Sequence, residues 1–148
     1  SKPWAMTGWR LGWLAAPEAL IDKFTLLQAA QIASVPTFLQ KAAETALQVE
    51  VTDMAAVYRK RREYVLARLD QMGLPYPTPR GAFYVFPDIS RFGMDSETFC
   101  IRLIEEGGLA AVPGSCFGGE GHIRLSYCYS DEELQESLDR LERFIRQL

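Results

Sequence analysis

Short runs of β-branched and aromatic residues, alternating with longer stretches of helical periodicity, predict an α/β or mixed α+β chain. Two observations carry this expectation. "AFYVF" at 82–86 and "HIRLSY" at 122–127 have the composition of strands. The stretches around them repeat their apolar residues at intervals of three and four, the spacing that puts side chains on one helical face.

Taken in order, residues 10–15 (RLGWLA) are short, apolar and Gly-interrupted. They predict a strand that stops at Ala16-Pro17, where a proline suits the first turn of a helix. Leu20, Ile21, Phe24 and Leu27 keep the helical interval until Pro36 breaks it, and Ala42, Ala43, Ala46 and Leu47 resume it. Thr52 predicts the cap of a third helix, with Met54, Val57, Tyr58, Val65, Leu69 and Met72 on one stripe and Gly73 at its end. Pro75, Pro77, Pro79 and Gly81 form a loop leading into the strand "AFYVF". Asp95 or Ser96 caps a helix carrying Phe99, Cys100, Leu103 and Ile104, closed by Gly107 and Gly108. A strand over 109–112 follows, then the turn-rich "PGSCFGGEG" and the strand "HIRLSY". Ser130 and Glu133 make a capping box for a last helix with Leu134, Leu138, Leu141, Ile145 and Leu148 on one face.

Composition narrows the function classes. A chain of 148 residues makes one domain, or one domain plus a piece of another. Its formal net charge of −3 gives no electrostatic footprint for nucleic acid. No apolar run approaches the roughly 20 residues that a membrane helix needs, and no signal peptide opens the chain. Cys100, Cys116 and Cys128 lack the paired spacing of a zinc site or the density of a disulfide scaffold, and read as reduced cytoplasmic thiols. His122 is the single histidine, so neither a metal site nor a Ser-His-Asp triad is expected. "RKRRE" at 59–63 reads as a solvated helix face, the final leucine stripe as core, and "GSCFGGEG" as a flexible loop rather than a phosphate cradle.

The opening "SKPWAMTGWRLGW" holds Lys2, Gly8, Arg10 and Gly12 among three tryptophans. A lysine amine forms a Schiff base with a carbonyl cofactor, and a nearby arginine grips a phosphate through two parallel charge-assisted bonds. The same residues also suit a surface lysine beside an aromatic-rich strand. The segment alone leaves both readings open.

Four stretches together resemble one family. "SKPWAMTGWRLGW", "PRGAFYVFPD" at 79–88, "AVPGSCFG" at 111–118 and "HIRLSYCYSDEEL" at 122–134 stand in the order and at the intervals of the fold-type I, class I/II (aspartate aminotransferase-like) enzymes. The resemblance implies pyridoxal 5'-phosphate as cofactor, Lys2 as the Schiff-base lysine and proton shuttle, and Arg10 as the ligand of the cofactor phosphate. It implies Arg124 as the residue that grips the substrate α-carboxylate. Ser1 matches the serine directly before the lysine, and Gly81 and Phe83 match positions around the substrate mouth.

The resemblance further implies that residues 1–47 are the C-terminal end of the large cofactor-binding domain and 48–148 the small substrate-closing domain. The family's large domain largely precedes the lysine. The chain is therefore expected to be the C-terminal portion of a longer enzyme, inactive alone, with Trp4, Trp9 and Trp13 packing on residues outside it. The parent would exchange an amino group between a small-molecule amino acid and a 2-oxo acid as a cytoplasmic homodimer. Two alternatives share the fold: a C-S lyase that eliminates from a sulfur amino acid, and an aminotransferase-like effector domain of a bacterial transcription regulator.

Overall fold

The computed structural model describes all residues from Ser1 to Leu148. They form two compact units, Ser1–Ala55 and Ala56–Leu148.

The first unit contains a 3-10 turn over Thr7–Trp9 and the helices α1 (Glu18–Ile32) and α2 (Thr37–Ala46). Pro17 and Pro36 stand immediately before these helices with φ of −54° and −53°, the torsion proline fixes on its own. The strand expected over residues 10–15 does not form. Arg10 instead ends the 3-10 turn in the left-handed region at φ 54°. The preceding backbone folds on itself, with the Met6 amide donating to the Ser1 carbonyl at 2.8 Å and Trp9 to Met6 at 3.1 Å. A strand needs a neighbour for its ladder, and this unit contains no strand.

No residue of the first unit is buried. The helical spacing of α1 is real, but Leu20, Phe24 and Leu27 are exposed along it, and Trp13 is 84% exposed. Trp4 is tied down by its indole Nε1, which donates to the Val49 carbonyl at 3.2 Å.

A third helix, α3 (Thr52–Met72), runs into the second unit, which continues through β1 (Tyr84–Val85), α4 (Ser96–Glu105), β2 (Val112–Pro113), β3 (Ile123–Ser126) and α5 (Asp131–Ile145). The strands make an antiparallel sheet in the order β1-β3-β2, with Val85 opposite Leu125 and Val112 opposite Arg124. An isolated bridge joins Asp88 to His122. The strand expected over 109–112 is confined to its end, because Gly108 turns at φ 63° and the Leu109 amide still donates to Leu103 of α4.

The core is contributed by Val65, Leu69 and Met72 of α3, Phe99 and Leu103 of α4, Ile123 and Tyr127, and Leu134, Leu138, Leu141 and Phe144 of α5. The expected stripes are therefore right in their centres and too long at their ends: Val57, Ile104 and Leu148 are exposed. Arg68 binds Asp139 at 2.7 Å and Glu142 at 2.9 Å, fastening α3 to α5. Arg61 bonds Asp131 at 2.8 Å, and Arg62 donates to the Pro79 carbonyl at 3.3 Å. Half of the "RKRR" run is thus structural rather than merely solvated.

Capping follows the sequence chemistry. Ser130 and Glu133 form the reciprocal box at the start of α5, and Asp95 caps α4 by accepting the Thr98 amide at 2.8 Å. Ser96, wholly buried, has a different task. Its amide donates to Glu120 Oε1 at 2.6 Å and its hydroxyl to Oε2 at 3.1 Å, while Ser115 N–H donates to Ser96 Oγ at 3.2 Å. Glu120 thereby pins the loop "PGSCFGGEG" to the positive end of α4. That loop is no open tether, since Gly114–Phe117 forms a 3-10 turn. A Cβ on Gly114 would run into the carbonyls of Gly119 and His122, and one on Gly119 would reach within 2.7 Å of the Phe86 ring.

Hydrogen bonds from Gly121 and then Ser96 hold the Glu120 carboxyl below its ordinary value of 4.5. A depressed carboxylate contributes stability that is whole above its unfolded-state value and is lost as the pH falls through the folded one. Acid unfolding followed by circular dichroism should therefore separate wild type from Glu120→Gln at pH 6 and bring them together well below pH 4.5. A constant difference across that range would show that the charge is irrelevant.

Cys100 is buried and its thiol is pushed up to about 11 by that burial and then by Cys116, whereas Cys116 and Cys128 are exposed and all three are free. No helix is long and apolar enough to cross a membrane. No cluster of three His, Cys, Asp or Glu side chains is placed to hold a metal ion.

Candidate active site

Lys2 and Arg10 lie in the first unit, on the turn that opens the chain, and Arg124 lies on β3 of the second. Both Lys2 and Arg10 are exposed. Arg10 folds one Nη back to the Thr7 carbonyl at 3.0 Å, which leaves its remaining donors free. A Cβ added to Gly8 or Gly12 would meet nothing within 4 Å, so no packing inside the chain requires glycine there.

The backbone of this turn is strained. Ala5 at φ 52° and Arg10 at φ 54° bracket it in the left-handed region without being glycine. Ala82, at φ 60°, does the same immediately before Phe83. Such residues cost about 1–3 kcal/mol each and concentrate where geometry serves a site.

Arg124 has the more telling environment. Its strand neighbours explain its position: Ile123 points into the core, so Arg124 projects from the opposite face of β3. Its guanidinium carbon sits 4.4 Å from the centroid of the Tyr84 ring and 4.5 Å from that of Phe117. The other half-buried arginines, Arg61, Arg62, Arg68, Arg102 and Arg140, each spend donors on carboxylates or carbonyls. Arg124 has no hydrogen bond and no ion pair within the chain, so the ordinary structural explanation of a cation on a short strand does not hold for it. Five unused N–H donors in a planar fork suit a carboxylate approaching in that plane.

The two rings belong to a longer aromatic run. Phe117 meets Phe86 edge-on at 6.0 Å, Phe86 stacks on His122 at 5.4 Å, and Tyr84 leans on Phe83 at 4.6 Å, which stacks on Tyr58 at 5.9 Å. Tyr84 and Phe117 were not legible as site residues from the sequence. Only the order β1-β3-β2 brings them to Arg124, one from a neighbouring strand and one from the turn after the other.

Comparison with known proteins gives the chain's family. Residues 1–141 match the family model described as aminotransferase class I and II. Aromatic-amino-acid aminotransferase 2 of Thermococcus litoralis is 44% identical over 99% of the chain and 40% of its own length. The aspartate aminotransferase of Pyrococcus abyssi is also 44% identical, again over 99% of the chain and 40% of itself. The crystal structure of an aromatic aminotransferase from Pyrococcus horikoshii superposes with a TM-score of 0.92 at 43% identity, covering 99% of the chain and 41% of that structure. The chain spans about two-fifths of the length of these relatives.

Proposed function

The chain belongs to the aminotransferase class I and II family, and on that premise we propose that it is the C-terminal part of a pyridoxal 5'-phosphate-dependent enzyme that moves an amino group between an amino acid and a 2-oxo acid. Residues 1–47 complete the large domain of that enzyme and 48–148 form the small domain that closes on substrate. The full-length enzyme is a cytoplasmic homodimer. The exposed apolar side chains of the first unit, Trp13 and Phe38 among them, support such an assembly by offering a surface to pack against.

The donor set fits the cofactor. An exposed lysine amine, an arginine with most of its fork unused, and two glycines facing open space share one short segment. Lys2 would hold the cofactor's aldehyde carbon and Arg10 its phosphate. The cofactor supplies, when bound, an electron sink for the substrate's α-carbon. Lys2 then moves a proton at its Nζ, Arg10 anchors and orients, and Arg124 fixes the substrate by its α-carboxylate.

One observation carries the reading: Arg124 is a half-buried guanidinium whose donors are all unspent. Arg124→Lys in the full-length enzyme replaces a planar fork by a point charge. It is expected to raise KM for amino acid and oxo acid together and to lower kcat/KM by about a hundredfold, the cost of unpairing a carboxylate from a fixed cation. Cofactor absorbance and melting temperature should stay unchanged. A lowered melting temperature with unaltered kinetics for both substrates would overturn the assignment.

A further inference from the structure

Resting on the reading of Arg124 as the carboxylate anchor and deepening it, we propose that Tyr84 and Phe117 are positioning residues that hold the Arg124 guanidinium while leaving its N–H edge free for the substrate. An arginine has two ways to be held. A carboxylate or carbonyl uses the in-plane donors and so competes with any ligand, whereas an aromatic ring uses the faces of the guanidinium and leaves the donors alone. The half-buried arginines of this unit that bind carboxylates or carbonyls take the first way, and Arg124 takes the second.

The fold supports the holding rings from either side of the central strand. Tyr84 comes from β1, on one edge of β3, and is backed by Phe83. Phe117 comes from the 3-10 turn that follows β2, on the other edge, and is backed by Phe86. Gly119 leaves the space that the Phe86 ring occupies, and Gly114 closes the turn that carries Phe117. The glycine-rich loop, with Glu120 fastening it to α4, thus fixes one wall of the anchor.

The test reads the side chain of Arg124 directly, in the 15N-labelled full-length enzyme, with its Nε–Hε signal assigned by its disappearance in Arg124→Lys. In wild type, that signal is expected to be displaced from the free-arginine position by the ring currents of Tyr84 and Phe117. Tyr84→Leu and Phe117→Leu should each return it toward the position of free arginine and weaken 2-oxoglutarate binding by about tenfold. Tyr84→Phe, which keeps the ring and loses the hydroxyl, should preserve both. Should Phe117→Leu fail to fold, Tyr84→Leu and Tyr84→Phe still decide the matter.

The failures are distinguishable. If Arg124→Lys abolishes 2-oxoglutarate binding while both leucine variants leave signal and affinity unchanged, the positioning role is wrong and the anchor stands. If Arg124→Lys leaves binding unchanged, the anchor itself is wrong and the proposal falls with it. A wild-type signal at the free-arginine position overturns the proposal without any ligand.

Discussion

Replacing Lys2 by alanine is expected to lower transamination by the full-length enzyme by about a hundredfold to ten-thousandfold, the range over which a positioned proton-transfer group contributes to rate. The loss should fall on kcat, because on the proposed reading Arg124 and Arg10 still hold substrate and cofactor in the variant. Lys2→Arg should not rescue, since a guanidinium neither attacks a carbonyl carbon nor gives up its proton near neutral pH. The 148-residue chain by itself should show no turnover above its own Lys2→Ala control, because it spans two-fifths of its relatives' length. Single-turnover assays with mixed amino donors measure both. Full-length Lys2→Ala working within tenfold of wild type would remove Lys2 from the chemistry, and clear turnover by the isolated chain would overturn the larger-enzyme reading.

The second large effect concerns stability. Phe99 of α4 has no exposed surface, meets Phe144 edge-on at 5.3 Å and lies 5.6 Å from Phe92. Truncation to alanine removes the transfer energy of the ring, leaves a cavity and breaks both ring pairs, an expected loss of about 3–5 kcal/mol. That is a large share of the stability of a small domain. Phe38 of α2, 71% exposed, offers the control: its replacement by alanine should stay within about 0.5 kcal/mol. Urea titrations of the two variants check the contrast. A Phe99→Ala loss below about 1 kcal/mol would mean that the core around α4 collapses to refill the space.

Legibility in the sequence followed the range of the interaction. The helix α5 was plain because its signals are local: the Ser130–Glu133 box and the leucines at helical spacing lie within a few turns of each other. The same logic failed at residues 10–15, where a short, apolar, Gly-interrupted run suggested a strand but a strand requires a partner that this unit lacks. In α1 the spacing was correct and the inference of burial was not, since periodicity says which residues share a face and nothing about what covers it. Lys2, Arg10 and Arg124 were singled out as candidates through resemblance of whole motifs. Tyr84 and Phe117 were invisible because their contact with Arg124 depends on the pairing of β1 and β2 to β3, which no single stretch encodes. "GSCFGGEG" was read as slack, whereas Gly114 and Gly119 are glycines because carbonyls and the Phe86 ring stand where side chains would be.

The absence of any buried residue among the first 55 has a calorimetric consequence. Heat capacity of unfolding arises from apolar surface newly hydrated when a chain opens. In this chain that surface is concentrated in the second unit, while Trp13, Leu26 and Phe38 are already in water before any transition begins. The chain therefore has a smaller heat-capacity increment than its length predicts, and its free energy varies more flatly with temperature than that of a domain of equal mass. Conversely, whatever covers the first unit adds to that increment in proportion to the apolar area it dries.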